Sequence, residues 1–439
     1  MERYEKYKDS GVEWIGNVPS HWKIKKLKFI GEAIGGLTYS PNDVVESSKE
    51  GKLVLRSSNI QNGKLELSDN VYVNLEISEK LTLKKGDILI CSRNGSRHLI
   101  GKNIYIDEQM EGQTFGAFMM IFRTKEWRFL YQYFNSQIFS SQSSLFLSAT
   151  INQLTSGTIN SFLIAIPDSL EEQTAIANYL DKKTSELDTL ISKKEKLIEL
   201  LKEERTAIIN QAVTKGLDPD VEMKDSGVEW LGEIPAHWEA KPLRYVGNTQ
   251  NGISAGADYF GFGFPFISYG DVYKNPVLPK SVVGLANSTE KDRGNFSIKR
   301  GDILFTRTSE TVDEIGIASI CLEDVDNAVY AGFLIRFRPN ENLLFEGFSK
   351  YYFRNNIHRI FFIKEMNIVT RASLSQNLLK RLLVLLPSLE EQIKISEYLD
   401  FKTKEVDTII TKTNQEITLL KEYKTALVSE VVTGKLKVV

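Results

Sequence analysis

Six short segments of this chain concentrate arginine, asparagine, glutamine, serine and threonine, three in each half. In the first half they are Arg56-Ser57-Ser58-Asn59, Ser92-Arg93-Asn94-Gly95-Ser96-Arg97-His98 and Thr150-Ile151-Asn152-Gln153-Leu154-Thr155. In the second they are Ser268-Tyr269, Thr306-Arg307-Thr308-Ser309 and Asn367-Ile368-Val369-Thr370-Arg371. Arginine pairs two donors with guanine, and asparagine or glutamine pairs with adenine. Serine and threonine serve phosphates or bases. The chemistry that these residue types suit is base readout. The candidate contacts are Arg56, Ser58, Asn59, Arg93, Asn94, Arg97, Asn152 and Gln153 in the first half. In the second they are Tyr269, Arg307, Thr308, Ser309, Thr370 and Arg371. A solvated turn explains any one of these loops equally well, so the argument rests on their recurrence at similar places. The run Lys23-Ile24-Lys25-Lys26-Leu27-Lys28 is suited to neutralising backbone phosphates.

Catalytic patterns are missing by comparison. The nearest approach to a phosphate-binding loop runs from Gly95 to Gly101-Lys102-Asn103. It is one residue too long and has Asn103 where a magnesium-binding hydroxyl is needed. No Asp-Pro-Pro-Tyr or Asn-Pro-Pro-Tyr occurs, as an amino-methyltransferase would require. Gly252-Ile253-Ser254-Ala255-Gly256 fits the GxSxG string, but a polar run, Gly247 to Asn251, precedes it instead of a buried strand. Gly36-Leu37-Thr38 stands at the matching place in the first half, so a shared structural loop is the better reading. Tyr259-Phe260-Gly261-Phe262-Gly263 reads as a glycine and aromatic turn rather than a cofactor loop. The four histidines are scattered, and His21 and His237 each stand beside a tryptophan, where packing or capping is expected. Cys91 and Cys321 lie far apart without a CxxC pattern, which argues against a disulfide scaffold or a cysteine zinc site. No metal and no cofactor is expected on this chain.

The elements that must hold those loops come from a duplication. Lys8-Asp9-Ser10-Gly11-Val12-Glu13-Trp14-Ile15-Gly16 returns as Lys224-Asp225-Ser226-Gly227-Val228-Glu229-Trp230-Leu231-Gly232, a shift of 216. Pro19, His21 and Trp22 return as Pro235, His237 and Trp238 at the same shift. A second repeat closes each half: Leu170-Glu171-Glu172-Gln173 returns as Leu389-Glu390-Glu391-Gln392, a shift of 219. Between these markers the halves diverge. Their best echo is Gly86-Asp87-Ile88-Leu89 with Arg93, against Gly301-Asp302-Ile303-Leu304 with Arg307. A similar frame around different bodies suggests one scaffold holding two readers.

The tails read as long helices. Leu180, Leu187, Lys194, Leu201 and Ile208 are seven apart, as are Leu399, Val406, Thr413, Leu420 and Leu427, with one polar break at the same turn of each. Leu190 and Leu197 are expected beside the first seam and Ile409 beside the second, with Ile417 one place out of step. Heptads of this kind mark a coiled-coil seam. Two matched rods about 66 Å long could bury each other, antiparallel, although packing of each on its own body is the alternative. The bodies carry short strand-like runs punctuated by turns and followed by helical stretches near Trp127–Phe139 and Phe345–Ile360, an α+β pattern. The expected fold is two mixed-sheet domains joined by two long antiparallel helices, with pseudo-two-fold repetition. The expected boundaries are an opening motif over 1–22, a first recognition domain over 23–169 and a helical spacer over 170–217. A second opening motif over 218–238, a second domain over 239–388 and a helical spacer over 389–434 follow.

With 439 residues, 42% of them hydrophobic and 26% charged, the chain exceeds one ordinary core. Its net charge of −2 neither favours nor excludes DNA, since acidic helices can offset basic faces. No stretch approaches about 18 uncharged apolar residues, and the first residues are charged, so a cytoplasmic location is expected.

The chain resembles the specificity subunits of type I restriction–modification enzymes. The resemblance rests on Ser10-Gly11-Val12-Glu13-Trp14-Ile15-Gly16 with Pro19 and Trp22, on Gly86-Asp87-Ile88-Leu89 with Arg93, and on Pro167 followed by Leu170-Glu171-Glu172-Gln173, all repeated in the second half. It implies a non-catalytic DNA-specificity subunit whose two domains each read one half of a split, asymmetric site in double-stranded DNA. It also implies docking of two methyltransferase subunits on the helices. S-adenosylmethionine, ATP and magnesium would then reside on partner subunits, among them restriction subunits where these are present. A stand-alone two-headed regulator would not need long matched docking helices. A coiled-coil adaptor would not need polar loops in two bodies.

Overall fold

The computed structural model describes residues 2–61, 63–147, 152–309, 314–365 and 372–438. The chain divides into two compact units, Met1–Glu195 with Asn414–Val439, and Lys196–Thr413. The divisions fall inside both long helices, Leu170–Lys215 and Leu389–Val432. Each unit therefore contains one body, the first part of the helix that follows that body, and the last part of the helix that follows the other.

Each unit opens on the same hairpin. Tyr7–Asp9 pairs antiparallel with Asn17–Pro19, and Met223–Asp225 with Glu233–Pro235, in identical register. The nonapeptide supplies the end of the first strand and, from Ser10 to Gly16 and Ser226 to Gly232, the turn between the strands. Asp9 and Asp225 accept hydrogen bonds from the Gly11 and Gly227 amides, both at 2.9 Å. Gly11, Gly16, Gly227 and Gly232 hold φ between 63° and 72°, a left-handed conformation that disfavours other residues. Backbone geometry thus accounts for the repeated aspartate and glycines of this motif, and burial of Ile15 and Leu231 for its apolar position.

The bodies share one sheet order. In the first unit it is Asn103–Tyr105, Ile88–Cys91, Met119–Arg123, Glu32–Gly35. In the second it is Ala318–Ile320, Ile303–Thr306, Leu334–Pro339, Gly247–Asn251. A second sheet in each, of four strands in the first unit and three in the second, contains one parallel pair, Lys52–Leu55 with Thr114–Phe115 and Phe260–Ile267 with Val329–Tyr330. The final apolar strands, Leu163–Ile166 and Leu383–Leu386, pair antiparallel with Lys23–Lys26 and Glu239–Pro242. The helical stretches after the sheets are each two helices, Trp127–Phe134 and Gln137–Ser144, then Glu346–Tyr352 and Ile357–Glu365.

The two glutamates that open the long helices tie opening motif to tail. Glu172 accepts hydrogen bonds from Trp22 Nε1 (3.1 Å) and the Tyr4 hydroxyl (2.7 Å) and contacts His21 Nε2 (3.0 Å). Glu391 does the same for Trp238 (3.0 Å) and His237 (3.0 Å). These histidines latch the frame, and both tryptophans are fully buried.

The helices pair antiparallel. In the first unit Asp188 meets Lys424 at 2.6 Å and Lys194 meets Glu416 at 2.5 Å, so residue number rises on one helix as it falls on the other. In the second, Arg205 meets Asp407 at 3.0 Å. Leu180, Leu201, Leu399, Val406 and Leu427 are buried, and Leu187, Ile208 and Leu420 half-buried. The seam departs from expectation beside them. Ile191, Ile198 and Ile417 are buried, whereas Leu190, Leu197 and Ile409 are more than 40% exposed. From Leu187 the stripe steps by four residues and then three, which places residues 191 and 198 inward. The polar breaks are satisfied: Lys194 by its ion pair, and buried Thr413 by donating its hydroxyl to Ile409 O at 2.8 Å.

Candidate nucleic-acid interface

In the first unit the polar loops converge. The Asn94 side-chain amide donates to Ser57 Oγ at 3.0 Å, and Asn152 donates to Gly95 O at 3.4 Å. Arg93 and Gln153 form an antiparallel bridge, and Leu154 N donates to Ser92 O at 2.8 Å. Lys102, the lysine of the near-miss phosphate loop, donates to Ser57 O (2.6 Å) and Ile60 O (3.0 Å) and so pins the first loop. Asn103 is buried and donates to Gly101 O and Phe134 O. That segment is therefore structural.

Side chains in these loops divide by what they already hold. Arg93, Arg97 and Gln153 are exposed, and Ser58 and Asn152 half-buried. Arg97 donates to Ser144 O at 3.3 Å. Arg56 is ion-paired with Asp69 at 2.8 Å, and its second contact is Asp69 O. Asn94 uses its amide inside the loop, donating to Ser57 and accepting from Ser96 N. Asn59 cannot serve as a contact residue. It is fully buried, accepts from Arg56 N at 2.9 Å and donates to Glu66 O at 2.9 Å, so it shapes the loop from within.

The second unit repeats the stitching with different side chains. Thr308 pairs with Ser373 and Ser309 with Ala372, and Leu374 N donates to Arg307 O at 2.7 Å. This register makes Ser92 the equivalent of Arg307, and Arg93 the equivalent of Thr308. The two arginines matched by sequence are thus one residue out of step. Arg93 is exposed, while Arg307 is half-buried and donates to Gly332 O at 3.3 Å. Ser268 caps the helix Tyr269–Lys274, and the Tyr269 hydroxyl donates to Glu314 O at 3.3 Å. Thr370 and Arg371 lie outside the described residues.

Behind each loop stands a buried carboxylate. Asp87 of the Gly-Asp-Ile-Leu echo takes both Arg123 Nε (2.8 Å) and Nη2 (2.7 Å), and Asp302 takes Arg338 Nε (2.7 Å) and Nη2 (2.6 Å). These bonds raise the pKa of each guanidinium and clamp the central strand to its neighbour. The sequence offered this pair only as an echo, because the arginines lie 36 residues away.

The run before the GxSxG string, Gly247–Asn251, is a half-buried strand and not the turn that its polar residues suggested, but the string itself is an exposed loop. Ile253 bridges Ala331 just as Leu37 bridges Gly116, and Ser254 is exposed. Among the described residues no group of three histidine, cysteine or acidic side chains is placed to hold a metal. No described helix is long and apolar enough to cross a membrane.

Known proteins agree with this architecture. The family described as type I restriction modification DNA specificity domain matches residues 19–200 and again 235–419. The chain is 26% identical over 436 residues to the EcoKI specificity subunit of Escherichia coli K12, covering 96% of this chain and 90% of the relative. It is 24% identical over 439 residues to the StySPI specificity subunit of Salmonella potsdam, with the same coverage of 96% and 90%. Among solved structures, a chain of a type I R-M system superposes with a TM-score of 0.74 at 15% identity, covering 95% of this chain and 99% of that one. The HsdS subunit of Thermoanaerobacter tengcongensis gives 0.57 at 16% identity, covering 95% and 98%. With both halves matched by the same domain, the chain belongs to the type I restriction–modification DNA specificity family, as a non-catalytic subunit that recognises DNA sequence.

Proposed function

We propose that each unit reads one half of an asymmetric, split site in double-stranded DNA, and that the paired helices dock two methyltransferase subunits. One observation carries the reading. In both units the loop after the central strand is stitched to the segment before the last helix of the body, by Arg93–Gln153 in one and Thr308–Ser373 in the other. The same frame thus presents different side chains, which is what two readers of different bases require. Arg93, Arg97 and Gln153 are the best-placed contacts of the first unit, with Arg56, Ser58, Asn94 and Asn152 around them. Arg307, Thr308 and Tyr269 are those of the second, joined by Ser309, Thr370 and Arg371.

The outer faces of the helices favour docking. Leu190, Leu419 and Tyr423 in the first unit, and Leu197, Leu200 and Ile409 in the second, are 41–62% exposed. Rows of solvated leucine on an otherwise charged helix are suited to cover by a partner's helices. The chemistry falls to partners. Methyltransferase subunits bring S-adenosylmethionine, and restriction subunits, where present, bring ATP and magnesium. The assembly works in the cytoplasm.

Co-purification from the native host, followed by single-molecule sequencing of adenine methylation, tests the reading. The expected result is methyltransferase subunits on the chain and a motif of two different short blocks, centred about one helical turn apart. A continuous or palindromic motif would overturn it.

A further inference from the structure

Phe118 is 56% exposed and Phe333 63% exposed, while Phe115, Phe122, Phe305 and Phe337 in the strands around them are buried. Both occupy the third position of a four-residue turn: Met119 N donates to Gly116 O at 2.8 Å, and Leu334 N to Ala331 O at 2.9 Å. The turns are fixed in place. Phe118 O accepts from Ser92 N and Arg93 N, and Phe333 O accepts from Arg307 N. On the other side the backbone packs so closely that a Cβ on Gly36 or Gly252 would lie 2.1 Å from Gly116 O or Ala331 O. Each phenyl ring therefore projects from a backbone turn braced on both sides. Scattered surface phenylalanines need no explanation. Two at the same turn of bodies that otherwise diverged do, and the backbone of each turn is hydrogen-bonded to the polar loop that carries an arginine. The Arg93 guanidinium lies over the Phe118 ring at 5.1 Å, and Arg307 Nη1 donates to the carbonyl of Gly332, one residue before Phe333.

We propose that Phe118 and Phe333 are the stacking side chains of the two readers, each ring entering the duplex within its own reader's block and packing against a base that it displaces from the stack. The inference rests on the two-reader assignment and deepens it. Apolar rings inserted at a base step kink and unstack DNA, and a neighbouring arginine holds the phosphates or guanine edge beside the opened step. A ring presented by a braced turn loses little freedom on binding, so more of the stacking energy appears as affinity. Base–aromatic stacking is sequence-tolerant, so the rings would add affinity and DNA distortion while the neighbouring polar side chains choose the bases.

The test uses the full chain assembled with its methyltransferase subunits and duplexes of the mapped target. 2-Aminopurine is placed in turn at each position of both blocks except the methylated adenine. The expected result is raised fluorescence at one step per block. Phe118→Ala should abolish the signal in the first block only, and Phe333→Ala in the second only, each with a roughly five- to hundredfold loss of affinity for the cognate duplex. Phe118→Trp and Phe333→Trp should keep both. Because these rings are exposed, the alanine variants should melt with the parent, which separates loss of contact from loss of fold. Arg93→Ala and Arg307→Ala are measured alongside. If they weaken binding while the phenylalanine variants leave signal and affinity unchanged, the stacking role is wrong and the reader assignment stands. If none of the four alters binding, the reader assignment itself fails.

Discussion

Asp302→Ala probes the link between buried charge and loop position. The Asp302 carboxylate is fully buried and takes three donors: Arg338 Nε and Nη2 at 2.7 and 2.6 Å and Lys299 N at 2.8 Å. Breaking one side of a buried pair costs about 3–5 kcal/mol, because the remaining charge is stranded. Arg338 keeps 31% of its side chain in water and can partly rehydrate, which places the loss near the lower bound, about 3 kcal/mol. For a domain of this size that corresponds to a fall in melting temperature of about 6–12 °C. Calorimetry would give the magnitude, and hydrogen exchange would give the place, Ile303–Thr306 and Leu334–Pro339. Since these strands carry Arg307 and Phe333 at their ends, only the second DNA block should weaken. Adding Arg338→Met should recover much of the loss, since the stranded charge is then gone. A loss under about 1 kcal/mol, or a double variant no better than the sum of its parts, would refute the argument.

Three further outcomes are expected. His358 is fully buried, and burial lowers its pKa to about 4, so the unfolded chain binds its proton below about 6.5 while the fold does not. Stability of the second unit is therefore full above that pH and should fall by about 3 kcal/mol as pH drops from 6.5 towards 4, with urea titrations at several pH values as the check. Val406→Asp, at a buried seam position, should cost several kcal/mol, whereas Ile409→Asp, on the exposed face, should cost little stability yet weaken methyltransferase co-purification. Arg307→Ala should relax or weaken recognition of the second block alone by about 1–3 kcal/mol if it pairs with guanine, read from the methylation motif.

Periodicity and repetition made the frame legible. The heptads gave both long helices, and the repeated nonapeptide runs from a strand end into a turn whose glycines sit at positive φ. The phase of the seam was not legible, because Leu190 and Ile191 are equally apolar and only packing against the partner helix selects the second. The loops gave up least. Asn59 has the composition of a contact residue, yet its amide is spent on backbone groups of a neighbouring turn, at Glu66. The offset between Arg93 and Arg307 was legible in the sequence, because the shift of 215 measured at Gly86 and Gly301 carries Arg93 to Thr308, and the strands keep that shift. Phe118 and Phe333 had a faint signal, two small residues before each, Gly116-Ala117 and Ala331-Gly332, but exposure of an aromatic is a property of the folded turn.

Each unit is completed by the helix of the opposite half. Gly216, at the end of the first long helix, lies against Trp238, and Gly434, at the end of the second, against Pro19 and Trp22. Neither half is a self-sufficient fold, since each would leave a tryptophan frame uncovered and half a seam bare. A gene truncated just after Gly216 would nevertheless encode everything that two copies need to complete each other. Such a homodimer would carry identical readers and would specify a palindrome. Tandem fusion of that gene, followed by divergence of one body, is a direct route to an asymmetric address. Exchange of a whole body between the fixed frames would then rewrite one block of the address and leave the other intact.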